Sequence, residues 1–205
     1  MLNIMLMLFV FANFLILALM ENNRITIREA LPDDAALLGR VVLMALHTDD
    51  SHPLSGIFKE LAARDDSQYS YKNAVVAEFD GKPAGAIIGY DGARLHELRR
   101  PLFELMEKRT GRTVEIEDET SAGEFYTDSL AVLPEYRGRG VGRALLADVC
   151  RRAFENGFCK VGLLVDVANP KAEAMYASLG FRRVNPTTFL GLDMWHMQKE
   201  NEHRE

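Results

Sequence analysis

A glycine-rich segment between a strand pattern and a helix pattern constrains the fold of this chain more than any other feature. Residues 124–132 are predicted to form a strand, and residues 141–156 carry apolar residues at helical spacing. Three glycines between them let the backbone turn sharply and approach a ligand closely: Gly138, Gly140 and Gly142. A strand that passes through such a loop into a strong helix is typical of an α/β domain.

The residues of this loop predict a site for an anion. Backbone amides at the start of a helix have no helical partner, and the helix dipole favours negative charge there. Arg137, Arg139 and Arg143 add positive charge to a chain whose net charge is −6. The loop lacks the Gly-Lys-Ser/Thr of a P-loop, and Arg143 replaces the last glycine of a GxGxxG dinucleotide fingerprint. We therefore predict a pyrophosphate site, with a glycine-rich turn that binds no ligand as the alternative.

The other patterns predict one α/β domain over residues 24–199, followed by a disordered tail at 200–205. Neither an internal repeat nor a long linker divides this region. Further strands are predicted at 24–29, 73–79, 84–90, 161–165, 181–184 and 192–198, and further helices at 32–46, 54–64, 169–180 and 94–109, the last interrupted by Pro101.

Composition excludes several classes of function. Hydrophobic residues are 48% and charged residues 26%, a globular balance. The acidic net charge argues against nucleic acid as a partner, because phosphate binding needs a clustered basic surface. The two cysteines, Cys150 and Cys159, form no CxxC pair, and together with five scattered histidines they predict no metal site. A reducing, cytoplasmic location is expected.

The first twenty residues carry no charge, and all but Asn3 and Asn13 are apolar. Twenty helical residues span about 30 Å, the thickness of a bilayer core. Arg24 and Arg28 follow the segment and would place the rest of the chain in the cytoplasm. Met20 is itself a candidate start, since polar residues and a strand follow it. A membrane anchor, a misassigned start and a buried or oligomer-forming helix are the alternatives, and a membrane partner is expected only for the first.

The glycine loop and a second block together resemble the GNAT family, the Gcn5-related N-acetyltransferases. Residues 169–181 match the family's downstream motif N-x-x-A-x-x-x-Y-x-x-x-G-F. The resemblance covers nearly all of residues 24–199 and implies the GNAT fold, an α/β fold with a mixed, mostly antiparallel central sheet flanked by helices. The loop signature Arg/Gln-x-x-Gly-x-Gly/Ala is filled by Arg137, Gly140 and Gly142.

The resemblance implies acetyl-CoA as the cosubstrate and no metal. In the family, the loop amides hold the pyrophosphate of coenzyme A. Backbone groups of the preceding strand pair with the pantetheine arm and polarise the thioester carbonyl. Asn169 has a second expected role, as the N-cap of its helix. The cofactor-binding residues implied in this way are Leu130, Ala131, Val132, Arg137, Gly138, Arg139, Gly140, Val141, Gly142, Arg143 and Asn169.

Three residues are candidates for proton transfer. By resemblance, Tyr176 is the general acid that protonates the departing thiolate, and the alternative is a tyrosine that only packs in the core. A carboxylate can accept the proton of an acceptor ammonium. In a regular strand Glu124, Tyr126, Asp128 and Leu130 share one face, which makes Asp128 the first choice for the base and Glu124 the second. Each acid could instead position the ammonium or lie at a solvated strand end.

The sequence thus predicts an N-acetyltransferase that transfers the acetyl group of acetyl-CoA to a primary amine by direct attack in a ternary complex. A catalytically silent acyl-CoA-binding module and a scaffold tethered by its first helix are the alternatives. The motifs do not specify the acceptor, so small molecules and protein amines stay open, as does a homodimer. Two further segments are expected at the acceptor site or on a solvated surface: residues 47–52 and the acidic residues 115–119.

Overall fold

The computed structural model describes residues 24–202 of the chain. The alternatives for residues 1–20 and the last three residues of the expected tail lie outside the described residues. The start of that expected tail overlaps the final strand, which runs to Glu200. Across residues 24–202, no helix has both the length and the apolar character needed to cross a membrane.

Seven strands form one mixed sheet. In chain order they are β1 (Ile25–Glu29), β2 (Ala74–Phe79), β3 (Lys82–Asp91), β4 (Phe125–Val132), β5 (Lys160–Asp166), β6 (Arg182–Phe189) and β7 (Leu192–Glu200). They lie side by side in the order β1-β2-β3-β4-β5-β7-β6. All neighbours are antiparallel except β4 and β5, which are parallel. This architecture confirms the expected fold class.

Helices cover both faces of the sheet. They are α1 (Ala35–Ala45), α2 (Ser55–Ala63), α3 (Leu95–Thr110), α4 (Val141–Glu155) and α5 (Pro170–Ser178). One hydrophobic cluster joins α1, α2 and α3 to strand residues such as Val76 and Ile88. A second cluster joins α4 and α5 to the adjacent residues of the same strands, such as Val75 and Ile87. Because strand side chains alternate between faces, the two clusters lie on opposite sides of the sheet.

Two prolines lie inside regular elements. The sequence patterns predict that one helix is interrupted at Pro101 and that one strand ends before Pro186. α3 continues through Pro101 because one face of the helix is buried, and this burial offsets the hydrogen bond that proline cannot donate. β6 continues past Val184 and through Pro186, which is tolerated because β6 is an edge strand of the sheet. The buried residues of α3 include Leu95, Leu98, Leu102 and Leu105, so these leucines belong to the core of the chain itself.

The two parallel strands pair only at their start. β4 and β5 are in register over Phe125–Thr127, and Thr127 Oγ1 donates a hydrogen bond to Gly162 O at 2.8 Å. Beyond Thr127 the pairing stops, while β4 continues to Val132 along β3. The edge of β4 that faces β5 therefore has no strand partner over residues 128–132.

A β-bulge at Asp128 changes the faces that the sequence predicts for β4. The register between β3 and β4 shifts at this point, so Asp128 has no residue opposite it. Before the bulge, Tyr126 packs with Tyr90 and the first turns of α3, whereas after it Leu130 packs in the cluster of α4. The prediction that these residues share one face is wrong, because the extra residue shifts the alternation by one.

Candidate active site

A cavity of about 640 Å³ lies where β4 and β5 stop pairing. It is lined by α5 and by β5, including Leu164, Asn169 and Tyr176. Its remaining walls come from α1, α2, α3 and the turn between β6 and β7. Asp128 and Ser129, at the bulge, also line it. This volume is in the range of small-molecule sites in proteins.

The loop before α4 adopts the conformation that its glycines allow. Gly138 and Gly140 have φ angles of 73° and 83°, in the left-handed region that favours glycine. The first hydrogen bond of the helix runs from Ala144 N to Gly140 O at 3.0 Å, so the amides of residues 141–143 precede the helical ladder. These amides can bind an anion at the positive end of the helix dipole.

Three exposed arginines surround this loop, and each makes a different contact. Arg137 Nε donates to Val132 O at 3.2 Å, which ties the loop to the end of β4. Arg139 lies over an aromatic ring of β2, with 5.0 Å between the guanidinium carbon and the ring centroid. Arg143 Nη2 donates to Ser178 Oγ at 2.5 Å, which joins the first turn of α4 to the end of α5. The loop is therefore surrounded by positive charge in an acidic protein.

The free edge of β4 presents the backbone groups of Leu130 and Val132. Leu133 N donates to Ala84 O at 2.8 Å and so faces β3, and strand alternation then turns Leu130 and Val132 the other way. Ala131 turns its backbone toward β3 and packs its side chain in the cluster of α1, α2 and α3. Of the three predicted strand contacts, Leu130 and Val132 lie at the opening and Ala131 does not.

α5 carries two of the predicted residues to the cavity. Asn169 Oδ1 accepts a hydrogen bond from Ala172 N at 3.1 Å, which confirms the predicted N-cap. The ring of Tyr176 packs against that of Phe181, with centroids 6.2 Å apart. Burial raises the pKa of Tyr176 to about 12, so its phenol stays protonated at neutral pH. Tyr176 thus packs against the core and also borders the cavity with a protonated phenol.

Asp128 is a carboxylate of the cavity wall that is held by three donors. Gln68 Nε2 donates to Oδ2 at 3.1 Å, and Ser129 Oγ donates to Oδ1 at 2.7 Å. The single hydroxyl of Tyr90 is shared between Asp128 Oδ2 at 3.1 Å and Glu119 Oε1 at 3.0 Å. Burial raises the pKa of Asp128 by more than these hydrogen bonds lower it. A carboxylate with a raised pKa beside a cavity is a stronger base than an ordinary aspartate.

Glu124 lies apart from the cavity, at the junction of β4, β5 and β7. Thr120 Oγ1 donates to its Oε1 at 2.6 Å, and the Nε2 atoms of His196 and Gln198 lie 3.0 and 2.7 Å from Oε2. Burial acts to raise the pKa of Glu124, but these hydrogen bonds outweigh it and the pKa is lowered. Glu124 is therefore a buried, fully paired carboxylate that links the segment before β4 to β7.

The sequence patterns missed three polar residues around Asp128: Gln68, Tyr90 and Arg99. Arg99 is 2% exposed, and its guanidinium binds Asp118, Glu119 and two carbonyls of the segment after α3. Its position among the buried leucines of a predicted helix was a signal, because an arginine on an apolar face needs buried partners. Gln68 lies in an irregular segment and its position in the sequence carries no such signal.

Residues 47–52 and the acidic residues 115–119, which the sequence predicts at the acceptor site or on a solvated surface, both contribute side chains to the cavity wall. His47 lines the cavity, with Nε2 at 3.9 Å from Asp166 Oδ2. In the acidic run, Glu115 and Glu119 line it as well. Within residues 24–202, no group of three or more His, Cys, Asp or Glu side chains is arranged to hold a metal ion.

Comparison with known proteins defines the class of this chain. A family model described as "Acetyltransferase (GNAT) family" matches residues 43–181. The match contains the bulged strand, the glycine loop and α5. The chain belongs to the GNAT family of acetyltransferases.

Two curated relatives match over different lengths. Glucosamine 6-phosphate N-acetyltransferase of Trypanosoma brucei brucei is 33% identical over 136 residues, which are 66% of this chain and 76% of the relative. Mycothiol acetyltransferase of Kocuria rhizophila is 44% identical over 66 residues, 32% of this chain and 21% of the relative. This match thus spans about a fifth of the mycothiol enzyme.

Solved structures confirm the fold. An acetyltransferase crystal structure is 32% identical with a TM-score of 0.73, and the match covers 86% of this chain and 100% of that one. The yncA protein of Salmonella typhimurium, solved with its cofactor acetyl-CoA, is 21% identical with a TM-score of 0.58, covering 89% of this chain and 98% of the other.

Proposed function

We propose that this chain transfers the acetyl group of acetyl-CoA to a primary amine by direct attack in a ternary complex. The observation that carries the proposal is a continuous path on the structure. The free amides of α4 lie just beyond the end of β4, and Leu130 on the open edge of β4 reaches the cavity. Asp128 and Tyr176 line the same cavity. The path therefore joins an anion site to a proton acceptor and a proton donor.

The groups along this path fit a coenzyme A thioester. The amides of residues 141–143 and the surrounding arginines fit its pyrophosphate. The outward backbone groups of Leu130 and Val132 fit the amides of its pantetheine arm, as an unpaired strand edge binds an extended chain. When bound, acetyl-CoA supplies an activated carbonyl. The amide of Leu130 would donate to that carbonyl oxygen as negative charge develops, and this preorganised donor would lower the barrier.

Asp128 and Tyr176 would carry the protons. Asp128 accepts one proton from the acceptor ammonium, which frees the nitrogen lone pair for attack. A C–N bond then forms, the C–S bond breaks, and Tyr176 donates its proton to the departing thiolate. The acetylated nitrogen loses its second proton to solvent. Transfer of the proton held by Asp128 to the Tyr176 phenolate through solvent restores both residues, so the products are an acetamide, free coenzyme A and one proton.

The test uses the full chain and two separate measurements. Calorimetric titration with acetyl-CoA measures binding, and a colorimetric assay measures the thiol released in the presence of a panel of primary amines. We expect binding, with thiol release that depends on an amine. Binding without release from any amine would contradict the proposal and favour a silent acyl-CoA-binding module.

The role of Glu124 can be separated from that of Asp128 by Glu124→Gln. We expect kcat/KM to stay within about threefold of the wild-type value, because Glu124 lies apart from the cavity. Stability should fall by about 2 kcal/mol at pH 7, because a buried charged acceptor of three hydrogen bonds is replaced by an amide. Urea unfolding measures the loss, with the exposed Glu104→Gln on α3 as a control that should change stability little.

The pH dependence of this loss gives a further check. The pKa of Glu124 is lowered by folding, so its contribution is present above the unfolded pKa and disappears as pH falls through the folded pKa. The stability difference between wild type and Glu124→Gln should therefore shrink in acid. A large loss of kcat/KM in a folded Glu124→Gln enzyme would instead place Glu124 in the chemistry.

A second prediction concerns the acidic limb of the pH–rate profile. Asp128 must be ionised to act as a base, so kcat/KM should fall with acid through a pKa above that of an ordinary aspartate. Gln68→Met removes a hydrogen bond that lowers this pKa, so the limb should move to higher pH. Gln198→Met removes a comparable amide from Glu124 and should leave the limb in place. If the acidic limb lies at the same pH in both variants, Asp128 is not the titrating group.

A further inference from the structure

A large part of the cavity wall is apolar. The apolar side chains come from the ends of α1 and α2, from α3 and from the turn between β6 and β7. An apolar wall favours a ligand whose body is apolar. A strongly hydrated ligand would lose its hydrogen bonds to water there and gain none from the wall. The residues of this apolar wall include Leu46, Leu54, Phe58, Leu102, Met106 and Leu190.

The charged groups at the cavity are mainly acidic. Within residues 24–202, the basic side chains that line it are Arg99 and His47. The charge of Arg99 is already matched, since its guanidinium contacts Glu119 and donates to Asp118 Oδ1 at 3.2 Å. Negative charge is therefore in excess, which favours a cationic ligand. The carboxylates that line the cavity are Glu115, Glu119, Asp128 and Asp166.

Unused hydrogen-bond acceptors lie beside Asp128. Gln68 is 2% exposed and lines the cavity, and its Oε1 has no hydrogen-bond partner in the described part of the chain. The orientation of this amide follows from its Nε2, which donates to Asp128 Oδ2. Asp128 itself accepts hydrogen bonds from Gln68 and Ser129 and shares the Tyr90 hydroxyl with Glu119, whereas a carboxylate can accept about four. A buried acceptor without a donor is costly, so this position fits a ligand that brings donors.

We infer that the acceptor is a primary amine with an apolar body. Its ammonium donates to Gln68 Oε1 and Asp128, and its body packs against the apolar wall. The inference rests on the proposed function and deepens it by naming the chemical class of acceptor. An acceptor that carries a phosphate fits poorly, because Arg99 is neutralised by its own carboxylates and His47 lies beside Asp166.

The experiment compares three amines that share one aminoethyl group: 2-phenylethylamine, ethanolamine and O-phosphoethanolamine. The full chain is assayed with saturating acetyl-CoA, and kcat/KM is measured from thiol release. We expect the value for 2-phenylethylamine to exceed that for ethanolamine by about 10- to 100-fold, the gain from burying a phenyl group. O-phosphoethanolamine should be the poorest of the three. A value for O-phosphoethanolamine equal to or above that for 2-phenylethylamine would overturn the inference and leave the acetyltransferase proposal intact.

Failure of the proposed function can be recognised separately. If none of the amines gives thiol release, binding of 2-phenylethylamine to the complex of the chain with coenzyme A is measured by calorimetry. Saturable binding that is tighter than that of ethanolamine would support the apolar-amine site while contradicting acetyl transfer at that site. No difference between the two amines in both assays would overturn the inference.

A matched pair of charge reversals tests the acidic part of the cavity. Glu115→Lys places a cation at the cavity, whereas Glu107→Lys makes the same change on an exposed position of α3 that does not line it. We expect Glu115→Lys to raise KM for 2-phenylethylamine by about 3- to 10-fold, because solvent weakens the repulsion between the lysine and the ammonium. Acetyl-CoA affinity should change little. Equal KM values in the two variants would show that Glu115 does not act on the bound amine.

Discussion

Replacing Asp128 with asparagine is expected to lower kcat/KM for the acceptor by about 10²- to 10³-fold, the usual contribution of a general base. Asparagine keeps the size of the side chain but cannot accept the proton of the acceptor ammonium. Affinity for acetyl-CoA should be unchanged, because the loop amides and the free edge of β4 lie beyond the bulge. Steady-state kinetics with varied amine, together with calorimetric titration of acetyl-CoA, measure the two quantities.

Stability provides the control for this variant. Folding raises the pKa of Asp128, so the native state binds this proton more tightly than the unfolded chain does. Stability therefore falls as pH rises from the unfolded toward the folded pKa, and above both values the ionised group costs stability. Asp128→Asn should consequently have a Tm at pH 7 no lower than that of the wild type. Wild-type kcat/KM in a folded Asp128→Asn enzyme would remove Asp128 from the mechanism.

Tyr176→Phe is expected to lower kcat by about 10²-fold while acetyl-CoA binding is retained. The phenyl ring can keep the contact with Phe181, so the change removes the hydroxyl and leaves the packing in place. The loss should appear mainly in kcat, because the proton is needed only as the C–S bond breaks. Single-turnover measurements of coenzyme A release test this step directly.

A matched tyrosine gives the control. Tyr71 packs against the core of α1, α2 and α3 without lining the cavity, so Tyr71→Phe removes a hydroxyl of the same kind away from the site. It should leave kcat unchanged. Equal kcat values for wild type and Tyr176→Phe would mean that water or another group protonates the thiolate, and Tyr176 would then be a packing residue only.

Local patterns predicted most of the elements of this fold. Helical spacing of apolar residues located α1, α2 and α4, and the strand patterns at 73–79 and 84–90 located β2 and β3. The glycine loop was also predictable, because positive φ angles at Gly138 and Gly140 and unpaired amides at a helix start are local properties. The predicted interruption at Pro101 is wrong, since packing on α3 overrides a local preference. The strand predicted to end at Val184 continues through Pro186, because β6 is an edge strand.

The sequence by itself therefore determined the class of fold, the anion loop and the two residue types suited to proton transfer. Only the tertiary structure placed one of the two candidate acids at the cavity and the other away from it. The bulge turns Asp128 into the cavity, where Gln68 and Tyr90 hold it, whereas Glu124 is enclosed by partners from β7 and the segment before β4. A strand register depends on the partner strand and a burial depends on distant residues, so neither can be derived from the local order of amino acids.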